Sequence, residues 1–463
     1  MNKNKILANF SFLGLQLFSQ NFSSDMDVNQ IKFLHSNKSI SLKDGFFELI
    51  DKEINVHLNS KEFNEDEYKW LLKEAKKSII EKNQSIIEHK FFSHVVLDLS
   101  GGMDSRLNFA AISNIKSQDL KDKVKIHSHE VLSQPKDIEI ALNLNSIYNY
   151  QYESIDRKII FNNKELPFDY WSYTLGNYYS NAPLFDVNRI DNSARITGAY
   201  GETCARPYYS AVFFNTELDI EDFENFVDAY IEKNKIYSIN STEIPLDIIS
   251  NILKEVLSSI PGSNALEKIE NHYLFFRNAL HLSDQFRCGY VCHEFGPIQS
   301  KYLHRAKMMA FGSFKDSRVQ HQLMMNLNPA VAAFEYEKNS ENDIYKQLVE
   351  NRHIDFPEWV AGVNFHGVDG SDERKKWMNA KNHISKKTTF ENKSEVNTLL
   401  YYDNSLKFAN KILKKLVENN LLSKEFSKTL FFIINISDFS QHKKWTLINM
   451  LASTYIQMQL IGN

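Results

Sequence analysis

The strongest constraint on the fold is a short apolar run that stops at paired glycines. His94–Leu99 (HVVLDL) is β-branched and apolar enough for a buried strand, and Gly101-Gly102 ends it. Asp104 then opens a helix carrying Leu107, Phe109, Ala110, Ala111 and Ile112. The unit repeats. Lys123–His129 (KVKIHSH) reads as a second strand and Pro135–Ile147 as a second helix, with the proline placed for a first turn. Tyr150–Ile155 and Ala194–Ala199 (ARITGA) are the third and fourth strands, the fourth again running into a glycine. Strands alternating with helices predict an α/β fold, a parallel sheet with helices on both faces. Ligands on such sheets bind outside the carboxyl ends of the strands. Both glycine turns, after Leu99 and after Thr197, fall at such ends.

Around this core the chain divides simply. Residues 1–65 carry short apolar runs with polar breaks and read as a small N-terminal segment. Residues 66–463 read as the main domain with a helical C-terminal extension. Tyr68, Leu71, Leu72, Ala75, Ile79 and Ile80 recur at helical spacing within 65–90. From about Glu217 the pattern is mostly helical, as in Phe223–Ile231, Leu246–Ile260, Ala265–Leu282 and Ser405–Asn419. Residues 338–398 are polar, with Trp359–Val363 in a loop.

Composition excludes several classes. The net charge of −4 disfavours nucleic acid as the main partner. No stretch approaches the ~20 apolar residues of a membrane span. Met1–Phe22 has Lys3 and Lys5 before an apolar run, but Asn9, Ser11 and Gln16 interrupt it. It reads as a buried strand or helix rather than an export signal, which implies a cytoplasmic protein. The three cysteines, Cys204, Cys288 and Cys292, are too few for a disulfide framework. Cys288 with Cys292, and His127 with His129 and Glu130, lack the further ligands of a tetrahedral metal site. His293-Glu294 lacks the second histidine of a zinc-protease helix.

The chemistry concentrates in Leu99-Ser100-Gly101-Gly102-Met103-Asp104-Ser105. Glycines let backbone amides approach an anion, and the following helix N-terminus points the same way. Ser100 and Ser105 add hydroxyl donors. Asp104 would repel a bare phosphate, so it makes sense as a Mg²⁺ ligand beside one. The Walker A pattern is absent, which excludes the kinase and GTPase type of phosphate loop.

The run VVLDLSGGMDSRLNFAA resembles the pyrophosphate loop of the N-type ATP pyrophosphatases. Within that group the chain is most similar to the synthetase domain of asparagine synthetase, β-lactam synthetases and lasso-peptide cyclases. The resemblance implies an ATP-dependent ligase. A substrate carboxylate attacks the α phosphate, and an amine or ammonia then displaces AMP to form an amide. It also implies roles for named residues. Leu99, Ser100, Gly101, Gly102, Asp104 and Ser105 would hold ATP through its pyrophosphate, and Ser128 on the second strand would lie near adenine. Ile196–Glu202 resembles the family's S-G-x-G-x-D-E turn, with Thr197 and Gly198 beside the nucleotide and Glu202 joining Asp104 on Mg²⁺. Pro329–Ala333 resembles the segment leading to the catalytic lysine, which places Lys338 near that role. Arg106, Tyr200, Arg206 and Glu294 are candidates for the substrate pocket. Arg106 could equally just cover its helix.

The chain departs from the family on the acceptor side. Asn2 stands where the family's glutaminase domain carries its cysteine, and 65 residues are too few for that domain. The amine would then come as free ammonia, from the substrate, or through a separate biosynthetic partner protein. Ala199 and Tyr200 sit inside the acidic turn, and His293–Ile298 lacks the arginine of the E-x-R-x-P-F-L-D segment. The expectation is kept ATP chemistry with a changed carboxylate, either a small molecule or a peptide. The competing expectations are an RNA-modifying ATP pyrophosphatase and a non-catalytic ATP-binding protein.

Overall fold

The computed structural model describes residues 34, 38–51, 62–113, 115–128, 135–153, 158–159, 185–186, 192–207, 210–213, 222–233, 246–278, 293–311, 316–350, 393–435, 444, 447–448, 450–452, 454–455 and 458. Met1–Phe22, His129, Glu130, Tyr208, Tyr209, Cys288, Cys292 and Trp359–Val363 lie outside them.

The expected parallel sheet is present. Strands β3 (His94–Asp98), β4 (Val124–His127), β5 (Gln151–Tyr152), β8 (Ser193–Ile196) and β9 (His293–Phe295) form one sheet in the order β5-β4-β3-β8-β9. Every pairing in it is parallel. The chain runs outward from β3 to β4 and β5, then returns to β8 on the other side of β3. The order therefore reverses between β3 and β8, and the carboxyl ends of those two strands make the switch-point crevice. A hairpin of β1 (Lys38–Lys43) with β2 (Phe46–Asp51) and an antiparallel pair of β6 (Lys158–Ile159) with β7 (Phe185–Asp186) complete the described strands.

The sheet has two unlike faces. Val95, Leu97, Val124, Ile126, Ala194 and Ile196 are fully buried and join one hydrophobic core. By the period of two, Asp98, Lys125, His127, Arg195 and Glu294 point the other way. Arg195 grips Asp98 with two hydrogen bonds, Nε to Oδ1 at 3.1 Å and Nη2 to Oδ2 at 2.7 Å. Its Nη1 lies 3.8 Å from Glu294 Oε2. Parallel strands usually read as continuous apolar runs. Here cross-strand ion pairs satisfy the charges that alternation puts on the second face.

Helices fill the first side. The helix α1 (Glu65–Glu88) starts where the Asn64 side chain accepts the Glu67 amide, with Glu65, Asp66 and Glu67 at its positive end. Its buried stripe runs Tyr68, Leu71, Leu72, Ala75, Ile79 and Ile87. The helices α2 (Met103–Ile112), α3 (Gln118–Lys123) and α4 (Pro135–Tyr148) follow β3 and β4. A short α5 (Gly201–Ala205) follows β8.

The C-terminal part is helical, as expected, and has its own core. The helices α6 (Phe223–Lys233), α7 (Leu246–Ser258) and α8 (Ala265–His272) come first, before β9. Beyond β9 come α9 (Lys301–Ala310), α10 (Arg318–Leu327), α11 (Pro329–Ala333) and α12 (Asn339–Glu350). The last two are α13 (Lys393–Glu418) and α14 (Lys424–Asn435). Phe226, Leu253, Ile269, Ile412, Leu416, Phe426 and Leu430 pack into a cluster separate from the sheet core. After about two α-helical turns from Ala265, Tyr273–Arg277 winds as a π-helix. The strand β9 was not expected from the sequence, because His293-Glu294-Phe295 is too short to show a period. Among the described residues no helix is long and apolar enough to cross a membrane.

Candidate active site

The glycine loop sits at the switch point. Leu99 continues β3, its amide bonded to His127 O at 2.8 Å, and is buried. The next three amides all point to side-chain oxygens. Ser100 N donates to Ser105 Oγ at 3.0 Å, Gly101 N to Asp137 Oδ1 at 2.5 Å, and Gly102 N to Ser100 Oγ at 3.2 Å. Successive backbone amides between a strand and a helix are the kind of donors that anion-binding loops use. A Cβ on Gly101 would lie 2.9 Å from Asp137 Oδ1, so any side chain there would push the Asp137 carboxyl off its amide. Burial raises the Asp137 pKa and Glu337 adds to it, while the Gly101 and Gly102 amides pull it back.

The second turn lies directly on the first. A Cβ on Gly198 would meet Ser105 N at 2.6 Å, and one on Gly201 would meet Asp104 Cβ at 2.6 Å. Thr197 is pinned from both sides, its amide bonded to Phe295 O at 3.0 Å and its carbonyl accepting Asn108 Nδ2 at 2.8 Å. Tyr200 adopts φ +72°, the left-handed region that favours glycine. The turn that Ile196–Glu202 resembles has a glycine at that place. The Tyr200 ring lies against Gly296, where a Cβ would come 2.6 Å from Tyr200 Cδ2. The segment that lacks its arginine therefore carries a glycine under an aromatic ring.

This stacking brings Asp104 and Glu202 together. Glu202 is pushed up to about 7, first by burial and then by the charge of Asp104. Asp104 Oδ1 accepts Gln320 Nε2 at 2.6 Å, and Oδ2 faces Arg206 Nη2 at 3.3 Å. These two half-buried carboxylates repel each other, and the Arg206 guanidinium offsets part of that charge. Their oxygens also suit a hard divalent ion. Among the described residues no cluster of three or more metal-ligating side chains occurs. A Mg²⁺ site shared with substrate phosphates needs only one or two carboxylates.

The lysine segment is docked on the loop. Glu337 N donates to Gly101 O at 3.2 Å. Arg106 bonds Gly101 O at 3.1 Å, Phe334 O at 2.9 Å and Glu335 O at 2.7 Å. It is fully buried and stacks 4.0 Å from the Tyr336 ring centre. Arg106 is thus a clamp within the fold, not a pocket residue, because its guanidinium is taken by carbonyls. Lys338 is the next residue beyond Glu337 and is exposed. Its carbonyl accepts the Glu341 amide at 3.1 Å at the start of α12. Glu341 in turn accepts from Ser317 and pairs with His321 Nε2 at 2.9 Å.

The remaining candidates separate. Arg206 reaches the carboxylates and Tyr200 borders them. Glu294 faces Arg195 on the polar side of the sheet and is placed by that ladder. Ser128 is buried at the end of β4, and its carbonyl accepts Tyr152 OH at 3.3 Å. Sequence reasoning missed Asp137 and Gln320. Asp137 carries one faint signal, an acid in the first turn of the helix after the second strand. Gln320 has none, lying 216 residues from Asp104. Compared with known family models, characterised proteins and solved structures, the chain matches none.

Proposed function

We propose that the chain is a Mg-ATP-dependent, AMP- and pyrophosphate-forming amide-bond ligase of the asparagine synthetase type. The observation that carries this reading is the anion cradle at Ser100–Gly102 beside the Asp104–Glu202 pair, at the sheet's switch point. A kinase-type loop would carry a lysine in the cradle. This one carries serines and glycines, with the acids one turn away.

In this reading Ser100, Gly101, Gly102 and Ser105 bind the pyrophosphate part of ATP. Thr197 and Gly198 flank the nucleotide. Asp104 and Glu202 hold Mg²⁺, which supplies charge neutralisation on the phosphates. A carboxylate oxygen attacks the α phosphorus, and the bond to the β-phosphate oxygen breaks. Lys338 offsets the charge that develops on the departing pyrophosphate. The amine then attacks the acyl carbon, AMP leaves with the bonding electrons, and the amine loses a proton. The acid is a small molecule or a peptide. The amine is ammonia, a substrate amine, or one delivered by a partner protein. A cytoplasmic setting, where ATP is abundant, fits the chemistry.

The test is exchange of labelled pyrophosphate into ATP with a panel of carboxylic acids, for the wild type and Asp104→Ala. Acid-dependent exchange that the variant loses supports the ligase. ATP binding with no AMP or exchange from any acid would leave a nucleotide-binding protein instead.

A further inference from the structure

The middle amide of the glycine loop is taken by an acidic side chain of the chain itself. Asp137 sits in the first turn of α4, which Ile140, Ala141 and Leu144 anchor in the sheet core. Its Oδ1 takes the Gly101 amide at 2.5 Å. The Gly102 amide also bears on Asp137, beside its bond to the Ser100 hydroxyl, while the Ser100 amide goes to the Ser105 hydroxyl. So two of the three loop amides bear on one carboxylate, and the two serine hydroxyls that take the rest lie 3.0 Å from each other.

A carboxylate and a phosphate oxygen compete for one N–H donor, and each weakens the other's bond to it. They also repel at that range, and Glu337, whose amide bonds the same glycine's carbonyl, adds further negative charge nearby. Building on the ATP reading above, we propose that Asp137 is an internal stand-in for pyrophosphate that ATP must displace, so that it sets nucleotide affinity. It keeps Gly101 oriented until phosphate enters and then swings clear. Asp137 is then a positioning residue whose removal tightens binding. A metal-holding or phosphate-assisting acid would do the opposite.

The experiment is calorimetric titration of the full chain with ATP plus Mg²⁺, and separately with inorganic pyrophosphate. Wild type, Asp137→Asn and Asp137→Ala are compared. The alanine variant binds both probes roughly tenfold tighter, the scale of one charge-assisted hydrogen bond. The asparagine variant, which keeps an acceptor without the charge, falls between. Amide exchange at Gly101 in the probe-free protein speeds up in the alanine variant and not in the asparagine one. Equal or weaker binding by both variants, with the wild type binding normally, overturns the proposal and leaves the ATP reading standing. No binding of ATP by any of the three proteins sinks both.

Discussion

Arg206 reaches from the end of one glycine turn to Asp104 in the other, Nη2 to Oδ2 at 3.3 Å. Glu202, on the same short helix as the approach to Arg206, completes a group of two acids and one base. The guanidinium offsets the like charges in the absence of metal. Arg206→Ala removes that offset, so the metal-free variant melts at a lower temperature than the wild type. Millimolar Mg²⁺ raises its melting point by more than it raises the wild type's. A variant that melts like the wild type in chelator, with the same response to Mg²⁺, would show that Arg206 does not balance the pair.

Arg106 predicts a loss of stability. Its fork serves three carbonyls, which a lysine cannot reach together. Arg106→Lys costs roughly 3 kcal/mol in urea unfolding. If the variant were as stable as the wild type and only bound ATP weakly, the clamp assignment would be wrong.

Lys338 predicts the reverse. It is exposed and its carbonyl carries the helix start, so Lys338→Ala changes stability by less than about 0.5 kcal/mol. Pyrophosphate exchange falls by about a hundredfold or more. Undiminished exchange would move the electrostatic role to another residue.

Gly198 tests the stacking of the two turns. Alanine there would press on the Ser105 backbone, which is fixed in the first turn of α2 and cannot rotate away. Gly198→Ala costs about 1–3 kcal/mol and displaces Asp104 and Ser105. Thermal melts and ATP titration of the variant both register it. A variant that matches the wild type in both would mean the turns are not in contact.

His321 sets an acid limit. Burial is the main reason its pKa lies below the usual histidine range, outweighing the pull of Glu341. The unfolded chain therefore takes up this proton at higher pH than the fold does. The associated stability is complete above about 6.5 and declines as pH falls through the window below it. Urea midpoints at pH 7.5 and 5.5 should differ more for the wild type than for His321→Gln. An equal or larger drop in the variant would remove His321 from the account.

Much of the site was legible because it is local. The strand, the two glycines and Asp104 lie within a dozen residues, and the second turn repeats the pattern. The α/β fold followed from strand-helix alternation. What the sequence hid is what the fold brings from afar. Gln320 meets Asp104 across 216 positions, and no short window contains both. Arg106 could not be assigned because a buried clamp and a phosphate ligand require the same side chain. The polar face of the sheet was hidden too. Asp98 reads as a strand end until Arg195 and Glu294 are laid beside it. The exposed apolar face of the hairpin β1–β2, with Ile40, Leu42, Phe47 and Leu49, was not foreseen either.

Lys307 Nζ lies 3.1 Å from Glu270 Oε1 and donates to Thr203 O at 2.7 Å, both side chains being almost wholly shielded from water. Glu270 also takes the Ser210 amide and hydroxyl. Thr203 neighbours Glu202, and Glu270 lies on α8, whose apolar side faces the C-terminal helices. Unseating α13 and α14 would thus loosen the strut beneath the carboxylate turn without touching a single residue of it. Truncating α13 and α14 is therefore expected to disturb the candidate site from the far end of the chain.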